Sequence, residues 1–371
     1  MTAPCISRLD SLISQAKTDV ERARLLAEKG CYLARIGEVL EAKSIRQMLR
    51  EKFGDGRDLG VSVRIMVLEG VLSYYQNLGP EAGDRIMRAK VLSVASGDRE
   101  LISLTAAWLS HIQYFNDKYD AAIDSARLAI DNICNEQWQT HIRVGLLFGD
   151  MHLLVENHEA SKRWYELARN AAVRYGDQAA IGAITYNRAS LRVFNLRVSL
   201  ALGYPISDSD ISFADAENRS STNYQLVAGV TSLEHLLSSS RISVQVIRRQ
   251  YVEARDALIE VLKGDNVPIS YSYRRVLISD LVLCNAALGS SSAAADQLNI
   301  LVSMGIHDLP IEDSLILQST IGLAVSLDSS LSTEVLSGCD LASIRIRFLQ
   351  QRTDLAAALA SHLNIPEEMK V

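Results

Sequence analysis

The feature that most constrains this chain is a run of small and apolar residues that recurs about every 40 positions. The clearest copy lies between residues 121 and 130 and reads AAIDSARLAI. The first small residue of the equivalent runs, which we call the repeat alanine, is Ala42, Ala82, Ala122 and Ala160, spaced 40, 40 and 38 positions apart. It recurs at Ala254 and Ala294, 40 positions apart. An apolar residue follows seven positions after each of these alanines, which is helical spacing. A constant period of this length with helical spacing inside it is typical of stacked helix pairs, so the sequence predicts an all-α solenoid.

The composition agrees with such an array and excludes several classes of protein. Of 371 residues, 48% are hydrophobic but only 6% are aromatic, which suits close packing of helices through small side chains. The net charge of −6 gives no electrostatic basis for binding nucleic acid or an anionic membrane. No apolar run reaches the length of a membrane span, and the first residues lack a basic region followed by an apolar stretch, so we expect no secretion signal. The five cysteines are scattered without a CxxC pair, which predicts reduced thiols and a cytoplasmic protein.

Turn residues and helical periodicity predict the organisation of the chain. We expect a lead-in over 1–18, repeats over 19–202, an irregular loop or degraded helix over 203–222, further repeats over 223–305, and a divergent helical cap over 306–371. The predicted helix pairs are 19–36 with 39–53, 61–77 with 80–95, 99–115 with 119–133, 138–156 with 158–175, 223–247 with 250–263, and 270–288 with 292–304. A long helix is predicted over 178–202.

One repeat resembles a known family closely enough to identify the type of helix pair. Tyr119, Ala122, Ile123, Ala126, Ala129 and Ile130 are spaced as in the second helix of a tetratricopeptide repeat, and the segment from Tyr251 to Val261 is a looser copy. The resemblance covers roughly residues 20–305, although the period exceeds the 34 residues usual in that family. It implies a right-handed α-solenoid of tetratricopeptide-like pairs that binds a protein or peptide along its concave surface.

The resemblance also implies which positions face that surface, namely those 15, 11 and 8 residues before each repeat alanine. On the second to fourth pairs these positions hold Tyr74, His111, Tyr114 and His152, which would line a groove with amphipathic rings. Glycines beside His152 would let a partner approach the backbone. The alternative is that these rings pack between helices.

Arg188 and Arg192 are four residues apart on one predicted helix face and form a second candidate contact. If this face looks inward, the two guanidinium groups suit a carboxylate of a partner. The alternative is a solvated helix face on which both arginines pair with Asp or Glu.

The sequence contains only incomplete matches to catalytic, metal-binding and cofactor-binding motifs. The segment 54–60 is glycine-rich but lacks the spacing of a phosphate-binding loop, and the calcium-loop-like start at Asp208 has Phe213 where a glycine is needed. The arginines between 241 and 275 alternate with acidic residues, which favours salt-bridged helix faces over a nucleic-acid surface. We therefore expect no enzyme, no metal and no cofactor.

The sequence thus predicts a noncatalytic, regulatory protein- or peptide-binding scaffold or adaptor. Two alternatives remain open at this point. The protein is a sensor of a small molecule or short signalling peptide, with an enclosed pocket near Tyr114, His152 and Arg188, or it assembles with itself. Self-association would use the apolar cap, where Leu317 and Leu323 are candidate contacts.

Overall fold

A computed structural model describes residues 4–77, 81–134, 137–232, 234–263, 270–306, 309–331 and 340–369. Within these ranges the chain forms α-helices and two short 3-10 turns, and no strand occurs, so the all-helical prediction is confirmed. The α-helices are α1 Pro4–Gln15, α2 Asp19–Ile36, α3 Val39–Phe53, α4 Leu59–Asn77, α5 Glu81–Ser96, α6 Arg99–Phe115, α7 Tyr119–Asp131, α8 Trp138–Leu154, α9 His158–Tyr175, α10 Gln178–Leu202, α11 Asp208–Ala228, α12 Glu234–Ile247, α13 Tyr251–Lys263, α14 Tyr271–Ala287, α15 Ser291–Ser303, α16 Ile311–Leu327 and α17 Leu341–Ala358.

The helices belong to two compact units. Unit 1 comprises residues 1–185, 223–233 and 355–371, and unit 2 comprises residues 186–222 and 234–354. The irregular segment expected over 203–222 contains a regular helix, since α11 begins at Asp208. Its serines and acidic residues have weak helix propensity, but they do not prevent a helix from forming.

Unit 1 is an array of neighbouring helix pairs. Helix α2 packs on α3, α4 on α5, α6 on α7 and α8 on α9, while α2, α4, α6 and α8 also contact one another in succession. We call α2, α4, α6 and α8 the first helices of their pairs. The repeat alanines sit where paired helices touch, and Ala42, Ala82, Ala122 and Ala160 are 0% exposed. A larger side chain at any of them would push the two helices apart.

Local signals in the sequence explain where these helices begin and end. The side chains of Thr18, Asp98 and Asn157 each accept a hydrogen bond from a backbone N–H in the first turn of α2, α6 and α9. Gly37 and Gly176 end α2 and α9 in the left-handed conformation, which glycine adopts without strain.

Unit 2 has its own hydrophobic core, formed where α14 packs against α13, α15 and α16. Leu315, Leu317 and Ile321 of α16 are fully buried in this core. Leu317 is therefore wrong as a candidate surface for self-association, because α14 of the same unit already covers it. Leu323, the other candidate, is 48% exposed.

The last part of the chain differs from the predicted single cap over 306–371. Residues up to 354 belong to unit 2, whereas residues from 355 onward belong to unit 1. There the 3-10 turn Leu359–His362 contacts α8, and the 3-10 turn Glu367–Met369 contacts α7. We call residues 359–369 the C-terminal segment.

No helix in the described part of the chain combines the length and the apolar character needed to cross a membrane.

Candidate functional site

Tyr74 and His111, two of the predicted groove residues, lie together in an aromatic cluster of unit 1. The ring of Tyr74 makes edge-to-face contacts with His111 at 5.5 Å and with Phe115 at 5.4 Å between centroids. Tyr74 is only 6% exposed, and Nδ1 of His111 is buried without a hydrogen-bond partner. Burial, with smaller contributions from Arg143 and Arg35, lowers the pKa of His111 to about 3, so the imidazole is neutral at pH 7.

Tyr114 lies one turn further along α6 and is partly exposed. Its ring is tilted against that of Tyr119 at the start of α7, with 6.0 Å between the centroids. Of the four predicted ring residues, the structure brings Tyr74 and His111 together, while Tyr114 contacts the second helix of its own pair.

His152 is covered by the C-terminal segment. The residue is 1% exposed, and its Nε2 lies 2.9 Å from the carbonyl oxygen of His362, so Nε2 must carry the proton and donate. The Nε1 of Trp164 donates to the same carbonyl at 2.8 Å, and the His362 ring stacks on Phe148 at 4.6 Å. The side chain of His152 is therefore closed to a partner while this segment is docked.

The glycines beside His152 serve helix packing rather than the approach of a partner. A Cβ placed on Gly149 would come within 2.7 Å of the Tyr165 ring, and one on Gly145 within 2.9 Å of Ala168. Tyr165 and Ala168 belong to α9. The expectation of an accessible backbone at these positions is wrong because α9 occupies the space.

Arg188 and Arg192, which belong to unit 2, both pair with Glu217 of α11. The Arg192 Nε donates to Glu217 at 2.6 Å and an Arg188 Nη donates at 3.3 Å. The Arg192 guanidinium also lies 4.5 Å from the centroid of the Phe213 ring. Both arginines therefore form salt bridges with an acidic residue, as in the alternative predicted from the sequence.

A buried polar cavity lies elsewhere in unit 1, lined mainly by the first helices. It has a volume of about 10 Å³, the space of one water molecule. Its walls are formed by Glu28, Cys31, Tyr32, Arg35, Trp108, Trp138, Gln139, Ile142, Arg143 and Asp177. We call this space the inner cavity.

Several inner-cavity residues stand one position after those expected to face inward. Glu28 and Trp108 lie 14 residues before their repeat alanines, and Arg35 lies 7 before, instead of 15 and 8. One residue corresponds to about 100° of rotation around an α-helix. The predicted positions Ala27, Ala34 and Val67 are buried, whereas Cys31, which stands 11 residues before its repeat alanine as predicted, lines the inner cavity.

Two buried arginines with different partners dominate the charge of the inner cavity. Arg35 forms a two-pronged ion pair with Asp177, at 2.7 and 2.9 Å, and Asp177 is 0% exposed. Arg143 is 2% exposed and lies 4.0 Å from the centroid of the Trp108 ring. Among the described residues, no carboxylate forms an ion pair with Arg143, and burial followed by repulsion from Arg35 lowers the pKa of its guanidinium.

Three buried N–H groups on residues of the inner cavity lack hydrogen-bond partners. They are Nε of Arg35, Nε1 of Trp108 and Nη2 of Arg143. Buried polar atoms in folded proteins are almost always hydrogen-bonded, so three such donors around one cavity form an unusual group. Sequence patterns missed this group because only the packing of separate helices brings these residues together.

A larger cavity adjoins the inner cavity. It has a volume of about 220 Å³ and shares Glu28, Trp138 and Gln139 with the inner cavity as lining residues. Arg64, which pairs with Glu100, also lines it. Burial raises the pKa of the Glu28 carboxyl against the opposing effect of Arg64. We call this space the outer cavity.

Unit 2 contains a separate cleft of about 740 Å³. Its floor includes Leu283 and Ile316, and its polar lining includes Arg197 and Arg248. Both arginines have carboxylate partners, since Arg197 pairs with buried Asp280 and Arg248 with Asp215. This cleft is large, but Arg197 and Arg248 are already paired within the unit.

The described residues contain no group of three or more His, Cys, Asp or Glu side chains arranged to hold a metal ion. Three cysteines, Cys5, Cys31 and Cys284, are buried free thiols, and burial raises the pKa of each to about 12. These three thiols are therefore poorly suited to act as nucleophiles at neutral pH. Cys339 lies outside the described residues.

No protein-family model matches this sequence, and a search of curated proteins finds no similar sequence.

Proposed function

We propose that the protein is a noncatalytic, regulatory binding protein that receives a short peptide or small molecule among the first helices of unit 1. The observation that carries the proposal is the set of three unpartnered buried donors around the inner cavity. A buried donor without a partner destabilises the fold by about 1–3 kcal/mol, so a ligand that supplies acceptors would gain that free energy on binding.

The enclosure of this region favours a short ligand over an extended partner. His152 is covered by the C-terminal segment and Tyr74 is buried, so the predicted ring-lined groove does not supply a continuous open surface. The outer cavity offers about 220 Å³, which suits a few side-chain-sized groups rather than a folded domain. These features favour a sensor of a short peptide or small molecule over an open scaffold.

The architecture we infer is a right-handed stack of tetratricopeptide-type pairs in unit 1, with a regulatory role in the cytoplasm. The support is the recurrence of repeat alanines at paired helix contacts and the succession of contacts from α2 to α8. Arrays of this kind use their first helices as the ligand-facing layer.

Affinity selection from a mixed library of short peptides and metabolites tests the proposal. Gln139 lines both cavities, so Gln139→Trp should fill the passage between them and abolish retention of ligands that the wild type captures. Gln47→Trp places the same side chain on an exposed position of α3 and is the matched control.

Ligands held by the wild type and by Gln47→Trp, but not by Gln139→Trp, would support binding in unit 1. Equal retention by Gln139→Trp would reject this site, and absence of any retained ligand would reject the function.

A further inference from the structure

We propose that the ligand of unit 1 carries an oxyanion, a carboxylate or a phosphate, that binds the guanidinium of Arg143 in the inner cavity. This inference rests on the proposed function and specifies the chemistry of the ligand. The buried arginines of unit 1 differ in whether a carboxylate balances their charge.

Arg143 is the buried cation of the inner cavity whose charge is not balanced by an ion pair within the described residues. Arg35, on the same cavity, is neutralised by two bonds to Asp177, and Arg64 is paired with Glu100. Arg143 instead contacts the face of Trp108 and the hydroxyl of Tyr75. These are weaker partners for a guanidinium than a carboxylate is.

A guanidinium does not lose its proton under ordinary conditions, so burial cannot be relieved by neutralisation as it can for lysine or histidine. An isolated buried charge is strongly unfavourable unless an opposite charge compensates it. Arg35 lines the same cavity and adds like-charge repulsion, which its partner Asp177 offsets only in part. An entering anion would remove both penalties at once.

The hydrogen-bonding character of the inner cavity identifies an acceptor-rich group. Arg35 Nε, Trp108 Nε1 and Arg143 Nη2 are donors only. A single water fills the volume but accepts only about two hydrogen bonds, whereas a carboxylate or phosphate oxygen group accepts four or more. An oxyanion therefore matches these three donors better than water.

The route to Arg143 runs from the outer cavity past Gln139 and Trp138, which line both spaces. The inner cavity at about 10 Å³ holds one water-sized body, so a carboxylate needs Gln139 to change rotamer. Gln139 is partly exposed and its unbranched side chain has other rotamers, but the change breaks its hydrogen bond to the Glu28 carboxyl, a cost that the anion must offset. The remainder of the ligand would occupy the outer cavity.

The test compares thermal melting and titration calorimetry of the full chain with four probes. N-acetylglycine supplies a carboxylate, N-acetylglycinamide is its neutral counterpart, inorganic phosphate is the second oxyanion, and sodium chloride controls for ionic strength. We expect N-acetylglycine or phosphate to raise the melting temperature, and neither the amide nor chloride to do so. The relative affinities for N-acetylglycine and phosphate distinguish a carboxylate ligand from a phosphate ligand.

Variants assign the effect to Arg143. Arg143→Met should weaken binding of the oxyanion at least about tenfold, which is the loss expected when a charged hydrogen bond is removed. Arg143→Lys should keep part of the affinity, because it retains the charge without the planar fork. Arg88→Met, on an exposed position of α5, should bind as the wild type does.

The melting temperatures of the unliganded variants give an independent readout, because the same substitution at two different arginines should have opposite effects. Arg143→Met removes an uncompensated charge and should keep or raise the melting temperature. Arg35→Met leaves Asp177 without its partner and should lower it. Two results would overturn the inference and leave a water-filled void. One is oxyanion binding that survives in Arg143→Met. The other is a wild type that binds none of the probes, together with an Arg143→Met variant that is less stable than the wild type.

Failure of this inference differs from failure of the proposed function. Affinity selection can yield ligands that have no anionic group and that Gln139→Trp does not retain. In that case the binding function stands and the oxyanion assignment is wrong. If no ligand is selected at all, the function itself falls.

Discussion

At the scale of single residues, the interior of unit 1 contrasts a satisfied buried charge with an unsatisfied one. Asp177 accepts two bonds from Arg35 and a third from the backbone N–H of Ala180, at 2.8 Å, in the first turn of α10. One carboxylate thus neutralises a buried guanidinium and caps a helix. Arg143, which lines the same cavity, has no comparable carboxylate partner among the described residues.

We expect Asp177→Asn to destabilise unit 1 by about 3–5 kcal/mol, because it leaves Arg35 buried without a counter-charge. The free energy of unfolding from urea titration, followed by tryptophan fluorescence, measures this loss. All three tryptophans belong to unit 1, so the signal reports on that unit. Asp19→Asn, whose ion pairs with Arg22 and Lys52 are exposed, should leave the midpoint nearly unchanged, and equal losses in the two variants would contradict the prediction.

At the scale of elements, the C-terminal segment acts as an additional layer on α7, α8 and α9. Its carbonyl at His362 accepts from both His152 and Trp164, and the carbonyl of Leu363 accepts from Arg163 at 3.0 Å. The segment covers Phe148 and Trp164, both 0% exposed. A pair of helices that would otherwise present apolar surface is closed by residues about 200 positions away in sequence.

Replacing His362 by alanine should lower the free energy of unfolding by about 1–3 kcal/mol, since it removes a ring stacked on Phe148 and leaves a void. Tryptophan emission should also shift to longer wavelength as water reaches Trp164. Glu368→Ala changes an exposed residue of the same segment and should be neutral. The same loss in both variants would show that the stacked ring contributes nothing specific.

At the scale of the whole molecule, the two units differ in how their buried titratable groups respond to acid. Burial lowers the pKa of His111 to about 3 and that of His362 to about 4, and burial also lowers the pKa of His141 and of His152. All four histidines belong to unit 1. In unit 2, burial raises the pKa of Asp313 to about 6 and raises that of Asp280.

We expect acidification from pH 7.5 to pH 5 to destabilise unit 1. Below about pH 6.5 the unfolded chain binds protons at these histidines while the native state does not, so stability falls until the pH reaches the native values near 4 and 3. The raised pKa of Glu28 opposes this trend, because it gives a contribution that is largest at low pH and is lost as the pH rises. The four histidines should outweigh this single carboxyl.

The urea midpoint followed by tryptophan fluorescence checks the direction. His111→Gln should reduce the pH dependence, whereas His158→Gln, at an exposed position, should not. A midpoint that rises on acidification would contradict the assignment. The pH dependence of the contribution of Asp313 to stability is opposite, since this contribution is present at low pH and is lost as the pH rises through about 6. On acidification, unit 2 should therefore lose less stability than unit 1.

The sequence alone determined the helical class and most helix boundaries. Helices α2, α3, α6, α9 and α10 begin and end at the predicted residues, because caps, glycines and apolar spacing are local signals. The repeat alanines also indicated where paired helices touch, and the structure shows these alanines fully buried. Helix α11 was underestimated, since weak local propensity hides a helix that the rest of the chain supports.

Only the tertiary structure decided which face of each helix is available and which charges are balanced. The inner cavity is lined by Glu28, Arg35 and Trp108, each one residue after a predicted inward position, together with Cys31, which is a predicted position. The cover over His152 comes from residue 362, and the partner of Arg35 comes from residue 177. Periodicity in the sequence indicates the spacing of contacts within a helix pair, but it does not indicate which distant side chains contact one another. The unpaired charge of Arg143 depends on those distant contacts.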